Sequence, residues 1–107
     1  MKFFKLKKAA EFKAVFKKGF KFYSQTLCVI YLKNSVGAKM GIAVSKKHGK
    51  AVKRNKIKRL LRAAFFSAFA NAGAKGFYII LPKIAEEYEY QRFLTDISFC
   101  LKKIQKQ

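Results

Sequence analysis

With 107 residues, 51% of them apolar, the chain can bury one genuine core but not two, so residues 1–107 read as a single domain. Twenty-five Lys and Arg face five acids, a formal net charge of +20 whose self-repulsion points to a polyanionic partner, nucleic acid first and an anionic membrane second. The longest apolar runs are six residues, as in "LCVIYL" at 27–32, too short to span a bilayer, and Lys5, Lys7 and Lys8 interrupt any secretory h-region.

In chain order, "AAEFKAVFKKG" (9–19) carries Phe12, Val15 and Phe16 at helical spacing. Lys17 and Lys18 suit the negative end of the helix dipole, and Gly19 is a stop. "FKFYS" (20–24) reads as a short strand. "TLCVIYLKN" (26–34) and "KMGIAVS" (39–45) read as two strands joined by "NSVGAK" into a hairpin. A long helix follows over 52–70, then the strand "GFYIILP" (76–82), closed by the only proline. A final helix over 88–103 aligns Tyr90, Phe93, Leu94, Ile97, Cys100, Leu101 and Ile104, with the acidic "EEYE" at its start, favoured by the dipole. The pattern predicts an α+β fold: a two-layer α/β sandwich of three helices on a small, mostly antiparallel sheet. Cys28 and Cys100 have no CxxC spacing and read as reduced core thiols of a cytoplasmic protein.

The chemistry concentrates in "KRNKIKRLLRAAFF" (53–66). On a helical wheel with Arg54 at zero, Ile57, Leu60, Leu61, Ala64, Phe65 and Ala68 span roughly 240° round to 20°. Arg54, Lys56, Lys58, Arg59 and Arg62 fill the arc from about 0° to 200°, with Asn55 near its middle. One face can be buried while the other offers a basic strip. Solvated helix faces usually mix signs, whereas Arg54, Lys58 and Arg62 repel one another at i,i+4. Lys46, Lys47 and Lys50 extend the strip, giving nine basic residues and no acid between 46 and 62. Closely spaced phosphates would turn that repulsion into binding energy.

A strand rather than a short helix precedes the basic helix, which disfavours a helix-turn-helix. Aromatic residues near a basic strip suit single-stranded nucleic acid, and Phe12, Phe16, Tyr23 and Tyr31 are the stacking candidates. The acids, Glu11, Glu86, Glu87, Glu89 and Asp96, are too few and too scattered for a metal-dependent nuclease built from protein. His48, the only histidine, sits in a Lys-rich turn and reads as a phosphate contact ahead of an acid–base group. No P-loop spacing occurs around Gly41 and Gly49. Composition describes a binder and not a self-sufficient catalyst.

The stretch "GIAVSKKHGKAVKRNKIKRLLRAAF" (41–65) resembles the signature of the protein component of bacterial ribonuclease P. The family pattern R-N-R-x-K-R-x-x-R appears as Arg54, Asn55, Lys56, Lys58, Arg59 and Arg62, with Lys56 where Arg is usual. "EFKAVFKKG" and "GFYIILP" resemble the family's first helix and last strand, so the likeness covers nearly the whole chain. The resemblance implies that a large RNA subunit, using Mg²⁺, removes the 5′ leader of precursor tRNA, and that the protein supplies neither catalytic residue nor metal site. Lys46, Lys47, Lys50, Lys53, Arg54, Asn55, Lys56, Lys58, Arg59 and Arg62 would contact RNA. Phe12 and Phe16, with Ile30 or Tyr31 from a strand, would line a cleft for the leader. It also implies a left-handed crossover joining two parallel strands through the motif helix, against the usual hand. Neither a membrane nor DNA is an expected partner. The competing reading is a ribosomal-type RNA-binding protein, separable by which RNA co-purifies.

Overall fold

The computed structural model describes residues 3–34 and 37–106, so part of the loop expected at 34–39 lies outside the described residues. Its strands are β1 (Phe4–Lys5), β2 (Phe20–Tyr23), β3 (Leu27–Lys33), β4 (Ala38–Ile42) and β5 (Gly76–Pro82). Its helices are α1 (Ala9–Lys18), α2 (Ala51–Ala72) and α3 (Tyr90–Gln105), with a 3-10 turn at Lys46–His48. The α+β class is as expected.

The strands form one sheet in the order β1-β4-β5-β3-β2. This overturns the expected hairpin: β3 and β4 are consecutive in sequence, yet β5 lies between them. The reason is burial. Tyr78, Ile79 and Ile80 of β5 are all fully buried although they alternate between the two faces, so β5 must be covered on both sides and takes the centre. β5 pairs antiparallel with β3 and parallel with β4, and β1 adds to β4 in parallel, so the sheet is mixed rather than mostly antiparallel. The β4-α2-β5 segment is therefore a crossover unit between neighbouring parallel strands.

Helices cover both faces of this sheet, not one. Leu27, Val29 and Tyr31 point into the larger core with Ile57, Leu61, Phe65 and Phe69 of α2 and Phe93, Ile97 and Leu101 of α3. Ile30, between them in sequence, faces the other way into a smaller core with Leu6, Val15 and Ile79, against which Phe12 and Cys28 pack. Each fully buried side chain of this size contributes about 1.5–3 kcal/mol. Cys28 and Cys100 fall on opposite sides of the sheet and are free thiols.

Two boundaries differ from expectation. β1 has only two residues, Phe4 and Lys5, too few for alternation to reveal it. α3 begins at Tyr90 rather than 88, so "EEYE" precedes the helix instead of forming its first turn. The Tyr88 hydroxyl donates to the Lys83 carbonyl (3.0 Å) and accepts from the Ala85 N–H (2.9 Å), closing a turn that keeps residues 83–88 out of the helix.

Candidate nucleic-acid interface

The approach to α2 is a built turn. Ser45 caps it, with Oγ accepting from the Lys47 N–H and the Ser45 N–H donating to His48 Nδ1 at 3.0 Å. His48 Nε2 lies 2.7 Å from the Pro82 carbonyl, so the neutral ring with its proton on Nε2 satisfies both neighbours. His48 is buried with both nitrogens engaged, which corrects its reading as a phosphate contact: it ties the turn to the end of β5. Gly49, at φ +115°, then swings the chain into α2 through a conformation other residues avoid. Lys46, Lys47 and Lys50 remain exposed around this turn.

Along α2 most of the apolar arc is buried as the wheel predicts: Ile57, Leu61, Ala64, Phe65 and Ala68 are all below 5% exposed, while Leu60, at the margin of the arc, is only half-buried. The basic arc wraps the other side. Asn55, Lys56, Arg59 and Arg62 are exposed, while Lys53, Arg54 and Lys58 are half-buried. Lys53 Nζ reaches the Ala85 carbonyl (3.2 Å) and sits over the Tyr88 ring, and Arg54 Nε is buried without a partner. Among the described residues one ion pair forms, Lys39 with Glu11 at 2.9 Å, which holds the Glu11 carboxyl below its ordinary range. Nearly all of the positive charge is thus left unneutralised.

A groove of about 110 Å³ opens beside β1 and β4, between α1 and α2. Phe12, Gly41 and Ile42 meet Lys58 and Arg62 there. This brings one aromatic ring and two cations of the basic helix to one place. Phe16 lies one turn further along α1 and is 42% exposed. Ile30 is on the α1 face but sealed beneath that helix. Tyr31 is on the opposite face, buried in the larger core with its hydroxyl donating to the Lys75 carbonyl, so it cannot line the groove. Tyr23, Cys28 and Leu81 form a cross-strand row on the α1 face, ending in the exposed ring of Tyr23. A larger groove of about 690 Å³ sets Lys50, Lys53 and Lys56 against Glu86 and Glu87, and its mixed charge suits a polyanion less well.

One residue of the strip escaped the sequence reading. Phe66 is 68% exposed, although Phe65 and Phe69 beside it are buried. The signal was on the wheel, where Phe66 falls at roughly 120°, inside the basic arc.

The carboxylates do not assemble a metal site. Glu11 is paired with Lys39, and Asp96 accepts from the Thr26 N–H (2.8 Å) and from its hydroxyl. Among the described residues no three His, Cys, Asp or Glu side chains converge, and no helix is long and apolar enough to cross a membrane.

A mixed sheet carrying a one-signed basic helix beside an aromatic groove defines the class: a small polyanion-binding domain. Comparison with known proteins narrows it. A family model described as Ribonuclease P matches residues 1–105. The ribonuclease P protein component of Clostridium botulinum is 36% identical over 103 residues, covering 94% of this chain and 90% of that protein. That of Streptococcus thermophilus is 32% identical over 102 residues, covering 94% and 92%. The Clostridium kluyveri protein is 46% identical over a shorter stretch of 68 residues, 61% of this chain and 59% of that protein. The RNase P protein of Staphylococcus aureus superposes with a TM-score of 0.81 at 28% identity, covering 95% of each chain. That of Thermotoga maritima gives 0.82 at 25%, covering 92% and 96%. The chain belongs to the family of ribonuclease P protein components, the protein subunits of an endoribonuclease ribonucleoprotein, and its class of partner is RNA.

Proposed function

We propose that this chain binds the catalytic RNA subunit of ribonuclease P through its basic helix and holds the 5′ leader of precursor tRNA against α1. It thereby assists endonucleolytic removal of the leader in the cytoplasm. The observation that carries the reading is the groove in which Phe12 meets Lys58 and Arg62. Its cations suit phosphates and its ring suits an unstacked base, so it fits a single strand better than a duplex.

In this reading the Mg²⁺ that hydrolysis requires belongs to the RNA subunit, because the protein's carboxylates do not fit a site of their own. The protein contributes affinity and orientation. Arg59 and Arg62 offer planar donors for bidentate phosphate contacts, and Lys56 and Lys58 act as point charges. Exposed Asn55 can hydrogen-bond a ribose or base edge.

The test is reconstitution. Incubated with precursor tRNA and Mg²⁺, the protein alone should leave the substrate intact. Adding a ribonuclease P RNA subunit should release the 5′ leader, with tighter binding of precursor than of mature tRNA. Specific leader release by the protein alone, or no effect of the protein on the RNA subunit, would overturn the proposal.

A further inference from the structure

The larger part of the exposed side of α2 is charged, but the strip does not end in charge. Beyond Arg62 it continues through Ala63, Phe66 and Ala70, all exposed. Phe66 follows Arg62 by one turn and Arg59 by two, which places it about 6 Å beyond Arg62 along the axis at a rise of 1.5 Å per residue. Its ring is braced from one side by Phe3, centroid to centroid 6.2 Å at 61°, and is otherwise 68% open. The small neighbours Ala63 and Ala70 leave room around it. No acidic residue occurs between 12 and 85 to interrupt the positive field.

We propose that Phe66 is a stacking platform for an unpaired nucleobase of the RNA partner, at the far end of the basic strip. The proposal rests on the reading of that strip as the RNA-binding surface and extends it. A strand tracked by Arg59 and Arg62 through its phosphates carries its bases about a nucleotide's length further, and the uncharged face of a base matches an open ring. Base–aromatic stacking is indifferent to sequence, because every base has a π-face. A paired base has both faces covered, so the ring selects unpaired positions. Phe12 of α1 and Phe66 of α2 thus lie at separate places beside the same cations, one in the groove and one on the crest of the basic helix.

The chain has no tryptophan, so Phe66→Trp introduces a single indole. This variant is titrated with single-stranded oligo(A) and with an RNA duplex carrying the same number of phosphates. Stacking predicts that oligo(A) quenches the indole emission and the duplex does not, although both bind through charge. Phe66→Ala should lower oligo(A) affinity by about 5- to 150-fold and leave duplex affinity and the salt dependence of binding unchanged. Phe66→Tyr should restore single-strand binding. Because the ring is exposed, circular dichroism should show the fold intact in all three variants.

Quenching by neither RNA or by both equally overturns the proposal, as does an equal loss of affinity for both in Phe66→Ala. Self-association of the chain that Phe66→Ala abolishes, without quenching by RNA, would mark the ring as a protein contact and also overturn it. Failure of the underlying reading looks different: neither RNA would then bind with the salt dependence of a polyphosphate contact.

Discussion

The ring of Phe12 rests on the bare backbone of Gly41, so closely that a Cβ at that glycine would come within 2.6 Å of Phe12 Cζ and 3.3 Å of Leu6 Cβ. Glycine in a strand usually weakens it, and here it marks the close approach of another group. Gly41→Val should expel the ring from the groove, lowering the melting temperature and the holoenzyme's preference for leader-bearing tRNA together. In a Phe12→Ala background the same substitution should cost less, since the clash with the ring is gone. A double-mutant cycle in thermal stability reads that coupling directly. Additive losses would mean that the contact does not govern the position of Phe12.

Phe16 tests the α1 face without disturbing the core. At 42% exposure its removal should cost little stability. Phe16→Ala should weaken precursor tRNA binding to the holoenzyme by roughly 1–3 kcal/mol, the scale of one base stack, and leave mature tRNA binding nearly unchanged. Equal losses for both tRNAs would move leader recognition away from this face.

His48→Ala should behave as a structural lesion. It removes the acceptor of the Ser45 N–H and the donor to the Pro82 carbonyl, and each buried group left unmet costs about 1–3 kcal/mol. The salt slope of RNA binding should stay unchanged wherever the variant is folded. A shallower slope in a variant of full thermal stability would restore the phosphate-contact reading.

Burial raises the thiols of Cys28 and Cys100, the latter to about 11 from an ordinary 9.0. The sign follows from linkage. The unfolded thiol ionises first as pH rises, so stability is fully present below about 9 and is lost as pH climbs toward 11. Melting temperature should fall over that window, and less steeply in Cys100→Ala, measured as the difference between the two proteins at each pH. Parallel curves would show that Cys100 plays no part in the alkaline loss.

The helices and the longer strands were legible from their patterning, whereas β1, two residues long, was not. "GFYIILP" reads as a strand from its run of apolar residues, and the wheel sets the arc from Ile57 to Ala68 toward a core. Pairing was less legible. Consecutive strands usually neighbour each other, and that tendency suggested a β3–β4 hairpin. The demand of β5 for cover on both faces outweighed it. Ile30 and Tyr31 illustrate the same limit, since alternation says that they face opposite ways but not which core each enters. His48 was misread because its deciding partner, Pro82, is 34 residues away. Phe66 was visible on the wheel but hidden among other phenylalanines that are core.

The basic helix itself is tested by charge counting. Arg54, Lys58 and Arg62 stand one turn apart, and Lys58 and Arg62 border the groove beside Phe12. Replacing all three with Gln removes about three phosphate contacts at roughly 0.7–0.9 of slope each, so log affinity for the RNA subunit against log salt should become shallower by roughly 2–3 units. Helix propensity is kept and i,i+4 repulsion is relieved, so the fold should survive and its melting temperature should hold or rise. The control is Lys102, Lys103 and Lys106 to Gln, on or just beyond the last turn of α3, an equal change in net charge away from the strip. If general electrostatic attraction were all that mattered, the two triple variants would lose slope alike. A large change in the first and a small one in the second assigns the contacts to α2. An unchanged slope in the first, with intact circular dichroism, would show that the RNA binds elsewhere.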